Sequence, residues 1–256
     1  MTKAILNNES RYATFLTHPE KSVEGCLRGP DALRSPGGRP VVWSNIADME
    51  DRPEFLIDGP AGGERTIVLA HGAGAPMDSP FMDTIARGIA ERDLRVVRFE
   101  FPYMRRRRTE GVRRPPDSAS VLHDTWLAVI DELGGARELI IGGKSLGGRI
   151  ASMLTDKVGA RGLVCLGYPF HPPGRPDRLR VAHLETLRTP TLIVQGTRDA
   201  LGNRDEIGGY ALSPEIQIRF LEDGDHSFKP RVRSGRTEPQ NLQQAVGAVA
   251  EFVHGL

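Results

Sequence analysis

A serine between two glycines is the feature of this sequence that most directly suggests chemistry. Gly143, Ser145 and Gly147 form the pattern G-x-S-x-G, which follows an apolar run at residues 139–141 and precedes an amphipathic stretch. In such a strained strand-to-helix turn the serine hydroxyl projects where it can attack a carbonyl carbon, and larger flanking residues would collide with the helix and the neighbouring strands. The pattern predicts Ser145 as a nucleophile, with an ordinary glycine-rich turn as the alternative.

The same residues also match the end of a phosphate-binding loop, G-x-x-x-x-G-K-[ST], through Gly143-Lys144-Ser145. The first glycine of that loop would have to stand at position 138, which is Glu138. An acidic residue there would repel a phosphate. The apolar run that follows it predicts a strand where loop backbone would have to wrap the ligand. The phosphate-loop interpretation is therefore disfavoured.

An aspartate and a histidine further along the chain could complete a set of nucleophile, base and acid. Asp199 ends a G-x-x-D turn just after the apolar run at 191–194, and His226 follows the last apolar run. The order is Ser, Asp, His, at separations of 54 and 27 residues, and it suits a histidine base that the aspartate orients. Asp205 is the weaker candidate acid because it lies beyond the turn. His254 falls within a helical pattern, where a surface role is expected.

The turn after the first apolar run has the sequence H-G-x-G, from His71 to Gly74. A turn of this kind supplies one backbone N–H of an oxyanion hole, and the residue after the nucleophile supplies the other. The expected donors are the amides of Ala73 and Leu146. His71 itself precedes the nucleophile and directly follows a strand, so we expect it to make structural hydrogen bonds rather than act as the base.

Short apolar runs alternate with amphipathic stretches from about residue 53 onward. The runs lie at 66–70, 95–99, 139–141, 162–166 and 191–194, and a sixth, at 216–221, alternates like an edge strand. Helices are predicted near 80–92, 117–134, 146–157 and 239–254. Continuous Val, Ile and Leu runs suit strands buried on both faces. The pattern predicts an α/β fold, a mostly parallel sheet with helices on both faces, whose active site lies at the carboxyl ends of the strands.

Length and composition fit one medium-sized globular domain. The chain has 256 residues, of which 39% are hydrophobic and 26% charged, a normal composition for a folded protein. A breaker-rich stretch at 29–40 separates two regions. We expect residues 1–52 to form an N-terminal extension, partly disordered or draped over the core, and residues 53–256 to form the domain.

Charge, cysteines and hydropathy exclude several classes of partner. The formal net charge of +1 gives no general attraction to nucleic acid or to anionic membranes. Cys26 and Cys165 are too few for a disulfide framework or a zinc site, and no metal-ligand spacing is seen, so neither a metal nor an organic cofactor is expected. With no apolar segment near the length of a membrane span and no signal peptide pattern, a cytoplasmic location is expected. Oligomeric state is left unassigned.

Six arginines cluster after the strand at 95–99. They are Arg105, Arg106, Arg107, Arg108, Arg113 and Arg114. The favoured interpretation is a solvated surface loop balanced by Glu110 and Asp117. An anion-binding rim is the second, because guanidinium groups bind carboxylate and phosphate bidentately. Nucleic-acid binding is disfavoured by the near-zero net charge and by the absence of a recognised motif.

These motifs together resemble the α/β-hydrolase superfamily. The segments 71–78, 101–104, 161–163, 168–174 and 195–199 are similar to one branch of it, the bacterial serine hydrolases related to a human testis-expressed protein and to a subunit of the non-specific lethal chromatin complex. The resemblance runs from about residue 54 to 254. The chain is also similar in a broad sense to dienelactone hydrolases, but those use a cysteine where this chain has Ser145.

The resemblance implies an α/β-hydrolase fold with a minimal lid, and a Ser-His-Asp triad that hydrolyses a small-to-medium ester or related acyl substrate through an acyl-enzyme. Because some relatives belong to chromatin assemblies, a non-catalytic scaffold is the alternative. The link from 168 to 187 is proline-rich and too short for a large lid. We therefore expect it to form a shallow rim that carries His171, beside an open pocket for modest acyl groups. The candidate substrate contacts are His71, Gly72, Gly74, Lys144, His171 and Arg105.

Overall fold

A computed structural model describes residues 53–256, and the predicted extension at 1–52 lies outside the described residues. The strands are β1 (Phe55–Asp58), β2 (Thr66–Ala70), β3 (Arg95–Phe99), β4 (Leu139–Lys144), β5 (Gly162–Leu166), β6 (Thr191–Gly196) and β7 (Ile216–Leu221). The helices are α1 (Pro80–Ala90), α2 (Pro102–Glu110), α3 (Ala119–Glu132), α4 (Leu146–Val158), α5 (Arg204–Ile207) and α6 (Glu238–His254), with a short 3₁₀ turn at Val232–Ser234.

The strands form one sheet in the order β1-β3-β2-β4-β5-β6-β7. All neighbours run parallel except β1, which pairs antiparallel with β3. The register aligns the carboxyl ends of the central strands: Ala70 of β2 pairs with Gly143 of β4, and Lys144 of β4 pairs with Leu166 of β5. The loops that leave these strands therefore meet at one edge of the sheet, where parallel α/β proteins hold their ligands.

Two helical layers cover the sheet, because alternate residues of each central strand point to opposite faces. On β2, Val68 and Ala70 belong to one apolar core, and Ile67 and Leu69 belong to the other. Helices α3 and α4 pack together over the first core, and α1 and α6 pack together over the second. Strands buried on both faces explain why the sequence shows continuous rather than alternating apolar runs.

The predicted fold class is confirmed, and so are the six predicted strands and four predicted helices, whose observed ends lie within three residues of the predicted ones. Strand β7 is an edge strand, as its alternating pattern predicts. The short antiparallel strand β1 and the helices α2 and α5 were not predicted from the sequence. Among residues 53–256 no helix has both the length and the apolar character needed to span a membrane.

The arginine cluster was predicted as a loop, and this prediction is wrong for Arg105–Arg108, which lie in α2. The helix begins with Pro102 in its first turn and ends at Gly111, which adopts a left-handed conformation (φ 69°). Only Tyr103 and Met104 of this helix are buried. A helix with so narrow an apolar face gives no periodic signal in the sequence.

Ion pairs attach the outer face of α2 to neighbouring loops. Arg106 pairs with Asp117, and Arg108 lies 2.8 Å from Asp78 and 2.6 Å from the buried carboxylate of Glu100. Two of the arginines are thus already neutralised by carboxylates of the same domain. This pairing favours a structural role for them over an anion-binding rim.

Candidate active site

Ser145 stands on a sharp turn between β4 and α4, with φ 50° and ψ −110°. A residue other than glycine with positive φ is strained, and such strain collects at functional sites. The flanking glycines are required by packing against β2. A Cβ atom on Gly143 would lie 2.1 Å from the carbonyl oxygen of Ala70, and a Cβ atom on Gly147 would lie 2.5 Å from the same oxygen. The turn brings Ser145 up at the carboxyl edge of the sheet.

The three residues predicted to act together form a continuous hydrogen-bonded chain. His226 Nε2 lies 2.9 Å from Ser145 Oγ, and His226 Nδ1 lies 2.8 Å from Asp199 Oδ2. Asp199 follows β6 and is fully buried, whereas the His226 side chain is 29% exposed. The serine, the imidazole and the carboxylate come from three different loops, so the arrangement depends on the fold rather than on sequence proximity.

The hydrogen bonds around Asp199 fix the tautomer of His226. The Leu201 N–H donates to Asp199 Oδ1 at 2.9 Å, and the Gln195 side-chain amide donates to Asp199 Oδ2 at 2.9 Å. An ionised carboxylate only accepts hydrogen bonds, so His226 Nδ1 holds the proton and Nε2 is free to accept from the Ser145 hydroxyl. In this tautomer His226 is oriented to receive the serine proton.

The two alternative residues lie outside this chain. Asp205 is exposed in the first turn of α5, where its backbone N–H is capped by Asn203. His254 lies at the end of α6, with its Nδ1 3.5 Å from Glu64. Within the described part of the chain, neither residue is hydrogen-bonded to His226 or to Ser145.

The two residues predicted to supply oxyanion donors, Ala73 and Leu146, lie close to the nucleophile in different ways. Ala73 lines the same cavity as Ser145, and Leu146 is the first residue of α4, where an N–H has no partner inside the helix. Within residues 53–256 neither amide donates a hydrogen bond. Both N–H groups are therefore without a partner in this part of the chain, and their role as oxyanion donors stays a prediction.

A cavity of about 350 Å³ opens over Ser145. Its lining residues are Gly72, Ala73, Gly74, Ala75, Ser79, Phe81, Met82, Lys144, Ser145, His226 and Ser227. The volume lies at the small end of the range for ligand pockets. Across the described residues, no group of three His, Cys, Asp or Glu side chains is arranged to hold a metal ion.

The sequence profile of a known family, described as "Alpha/beta hydrolase domain", matches residues 63–254, three quarters of the chain. The chain belongs to the alpha/beta hydrolase family. The match begins just before β2 and extends to the end of α6, so it includes every element that contributes to the cavity.

Solved structures share the fold of this hydrolase at low sequence identity. An alpha-beta serine hydrolase homologue from Coxiella burnetii has a TM-score of 0.58 and 20% identity, with 77% of this chain and 92% of that one covered. A dienelactone hydrolase from Anabaena variabilis has a TM-score of 0.58 and 20% identity over 79% and 91%. A serine hydrolase without lid from Xanthomonas campestris has a TM-score of 0.56 and 18% identity over 79% and 88%.

Three of the six predicted substrate contacts of this hydrolase line the cavity, namely Gly72, Gly74 and Lys144. The other three do not, and for two of them burial is the reason. His71 is fully buried, and His171 is 3% exposed with its Nε2 3.1 Å from Glu206. Arg105 is half-buried on α2 and is not among the lining residues. The prediction that His171 stands on an open rim is therefore wrong, because its loop folds inward.

Five residues of the cavity wall were not predicted from the sequence: Ala75, Ser79, Phe81, Met82 and Ser227. Ser79, Phe81 and Met82 stand at the start of α1, where Pro80 occupies the first turn. The available signal was the position of this helix directly after the H-G-x-G turn. Ser227 follows the base in sequence, and its exposed side chain is at the mouth of the cavity.

The ammonium group of Lys144 joins three walls of the hydrolase site. Its Nζ donates to the carbonyl oxygen of His226 at 2.6 Å and lies 5.4 and 5.7 Å from the ring centroids of Phe81 and Phe228. A Cβ atom on Gly167 would lie 2.7 Å from this Nζ, so the glycine leaves room for it. Burial lowers the pKa of Lys144 to about 8, although Asp199 and Asp225 partly offset the effect.

Lys144→Met should raise or preserve the melting temperature at pH 7, and its advantage over wild type should shrink as the pH rises to 10. Because the folded-state pKa is lowered, the unfolded chain binds more protons above about pH 8, and wild-type stability gains with pH. Thermal unfolding at several pH values measures the difference in melting temperature between the variant and wild type. A difference of 1 kcal/mol in unfolding free energy corresponds to about 2–4 °C. Lys157→Met, at an exposed position on α4, is the control. A difference that is constant with pH would contradict the prediction.

Proposed function

We propose that this hydrolase is a serine esterase that cleaves a small-to-medium acyl ester, or a related acyl substrate, through a covalent acyl-enzyme. The observation that supports the proposal most directly is the hydrogen-bonded chain from Ser145 through His226 to Asp199, at the base of a cavity that also holds a free backbone N–H. Membership of the alpha/beta hydrolase family supports hydrolysis in general. We propose the ester substrate in addition, on the basis of the site.

In the proposed reaction Ser145 Oγ attacks the acyl carbonyl carbon while His226 Nε2 takes the hydroxyl proton. Asp199 holds the imidazole in its reactive tautomer and stabilises the imidazolium that forms. The Ala73 and Leu146 amides donate to the negatively charged oxygen of the tetrahedral intermediate, each such donor being worth about 3 kcal/mol. His226 then protonates the leaving alcohol. A water molecule, deprotonated by His226, releases the acid from the ester of Ser145.

The cavity supports an acyl group of modest size. Its volume of about 350 Å³ is near the lower limit for pockets that enclose small ligands, and Phe81 and Met82 give it an apolar wall. Apart from the base His226, Lys144 is the one ionisable side chain among the described residues that line it, so a neutral acyl chain fits these walls. The substrate is thus a small organic molecule. The narrower bacterial branch and the cytoplasmic location stay predictions from the sequence.

Labelling with a fluorophosphonate probe, followed by hydrolysis of p-nitrophenyl esters from acetate to decanoate, tests the proposal. We expect covalent labelling of one serine and a kcat/KM that is highest for the short or middle chain lengths and falls for the longest. Absence of both labelling and hydrolysis would favour the non-catalytic scaffold. A kcat/KM that rises steadily to decanoate would reject the modest acyl pocket while leaving the serine chemistry intact.

A further inference from the structure

The peptide group between Gly72 and Ala73 is held at its carbonyl end by two side chains. His71 Nδ1 lies 2.7 Å from the Gly72 carbonyl oxygen, and the Tyr103 hydroxyl donates to the same oxygen at 3.1 Å. The peptide group is planar, with its C=O and N–H pointing in opposite directions. Fixing the Gly72 oxygen therefore fixes the direction of the N–H of Ala73, a residue that lines the same cavity as Ser145.

The hydrogen bonds of His71 determine which ring nitrogen holds its proton. The Phe101 backbone N–H donates to His71 Nε2 at 3.1 Å, so this nitrogen is an acceptor and Nδ1 is the donor to Gly72. Burial lowers the pKa of His71, which keeps the ring neutral. The rings of Phe101 and Tyr103 contact it edge-on at 5.3 and 5.6 Å. The imidazole is thus a fixed donor with no contact to the cavity.

Tyr103 is a second fixed donor, supplied by the start of α2. Its side chain is fully buried, and its backbone N–H is held by Asp117 Oδ2 at 2.7 Å. Burial raises the pKa of the phenol, so the hydroxyl stays protonated and able to donate. Helix α2, which carries the arginine cluster, therefore also contributes to the H-G-x-G turn. Tyr103 in its first turn places a hydroxyl against the Gly72 carbonyl oxygen.

We propose that Tyr103 and His71 are positioning residues for the oxyanion hole, acting through the Gly72 carbonyl on the Ala73 N–H. The inference rests on the proposed function, since it needs an oxyanion at Ser145. Two donors on one carbonyl also polarise the peptide group and make its N–H a stronger donor. This N–H matters most when negative charge develops on the substrate oxygen, so loss of a positioning residue lowers kcat and leaves KM nearly unchanged.

Tyr103→Phe tests the proposal, with Tyr168→Phe as the matched control. Both tyrosines are fully buried and both hydroxyls donate to a backbone carbonyl, that of Tyr168 to Arg180 at 2.9 Å. Among the described residues, the Tyr168 hydroxyl has no hydrogen bond to the H-G-x-G turn. The measurements are kcat and KM for a p-nitrophenyl ester, and the inhibition constant of a trifluoromethyl ketone, which forms a tetrahedral oxyanion with a serine. Rates are normalised to sites titrated with a fluorophosphonate, so misfolded protein does not count.

We expect Tyr103→Phe to lower kcat by about 10-fold, a fraction of the 10²–10³ lost with a whole oxyanion donor, and to weaken ketone binding by a similar factor. KM should stay within about twofold, and Tyr168→Phe should change neither. Equal effects of the two variants, or a loss confined to KM, would overturn the inference alone. A wild-type protein that neither hydrolyses esters nor binds the ketone would overturn the proposed function and this inference together.

Discussion

Ser145→Ala is expected to abolish fluorophosphonate labelling and to lower ester hydrolysis by at least about 10⁴-fold. The proposed reaction needs the serine oxygen to form the bond to the acyl carbon. Within residues 53–256 no other hydroxyl is hydrogen-bonded to His226. The melting temperature should stay the same or rise slightly. The backbone strain at φ 50° belongs to the turn and is kept by alanine, and residues held for function in such turns commonly cost stability.

The hydrolase offers a matched control for this variant in Ser152, on the helix α4 that follows the nucleophile. Ser152 Oγ lies 2.8 Å from His183 Nε2, so it too is a serine paired with a histidine. It lies outside the cavity, and no carboxylate is hydrogen-bonded to His183 in the described part of the chain. Ser152→Ala should keep labelling and hydrolysis. If Ser145→Ala stays labelled while Ser152→Ala does not, the nucleophile is wrongly assigned.

The fold could be predicted because its strands are buried on both faces. Runs such as 66–70 and 162–166 contain little but apolar residues, and glycine or proline residues mark where they end. The nucleophile could be predicted for a related reason. Gly143 and Gly147 are required because the turn approaches β2 closely. The G-x-S-x-G pattern around Ser145 therefore indicates the turn directly in the sequence.

The parts that could not be predicted depend on contacts between distant segments. Helix α2 is attached by ion pairs from Arg108 to Asp78 and Glu100, and a charge pattern does not show which carboxylates will be near. His171 looks in sequence like a surface histidine, and only the packed structure shows that it is buried. The cavity wall at Phe81 is set by how α1 packs against the sheet, which the helical period alone does not specify.

The choice of acid could be predicted only in part from the sequence. Sequence order selected Asp199 because it lies in the turn directly after a strand, and Asp205 only six residues away could not be excluded on composition. The hydrogen bonds that separate the two candidates come from Leu201 and Gln195. These neighbours hold one carboxylate in a buried place beside His226, while α5 leaves the other in solvent.

Asp199→Asn is expected to lower kcat by about 10⁴-fold with little change in KM. The asparagine amide nitrogen would donate to His226 Nδ1, which forces the proton onto Nε2, and that nitrogen could no longer accept the proton of Ser145. The shape of the side chain is kept, and its oxygen can still accept from the Leu201 N–H. The Gln195 amide loses one acceptor but still donates to backbone carbonyl oxygens, so folding should be preserved. Steady-state kinetics with a short-chain p-nitrophenyl ester, with thermal unfolding run in parallel, measures both effects.

Asp205→Asn is the control for this prediction, because Asp205 is exposed and is not hydrogen-bonded to His226. It should leave kcat within about twofold. The double variant of Ser145→Ala with Asp199→Asn sharpens the test, since residues that act as one unit give non-additive losses. We expect the double variant to be no slower than Ser145→Ala alone. A full additional loss in the double variant, or a larger loss for Asp205→Asn than for Asp199→Asn, would show that Asp199 does not act through His226 on the serine.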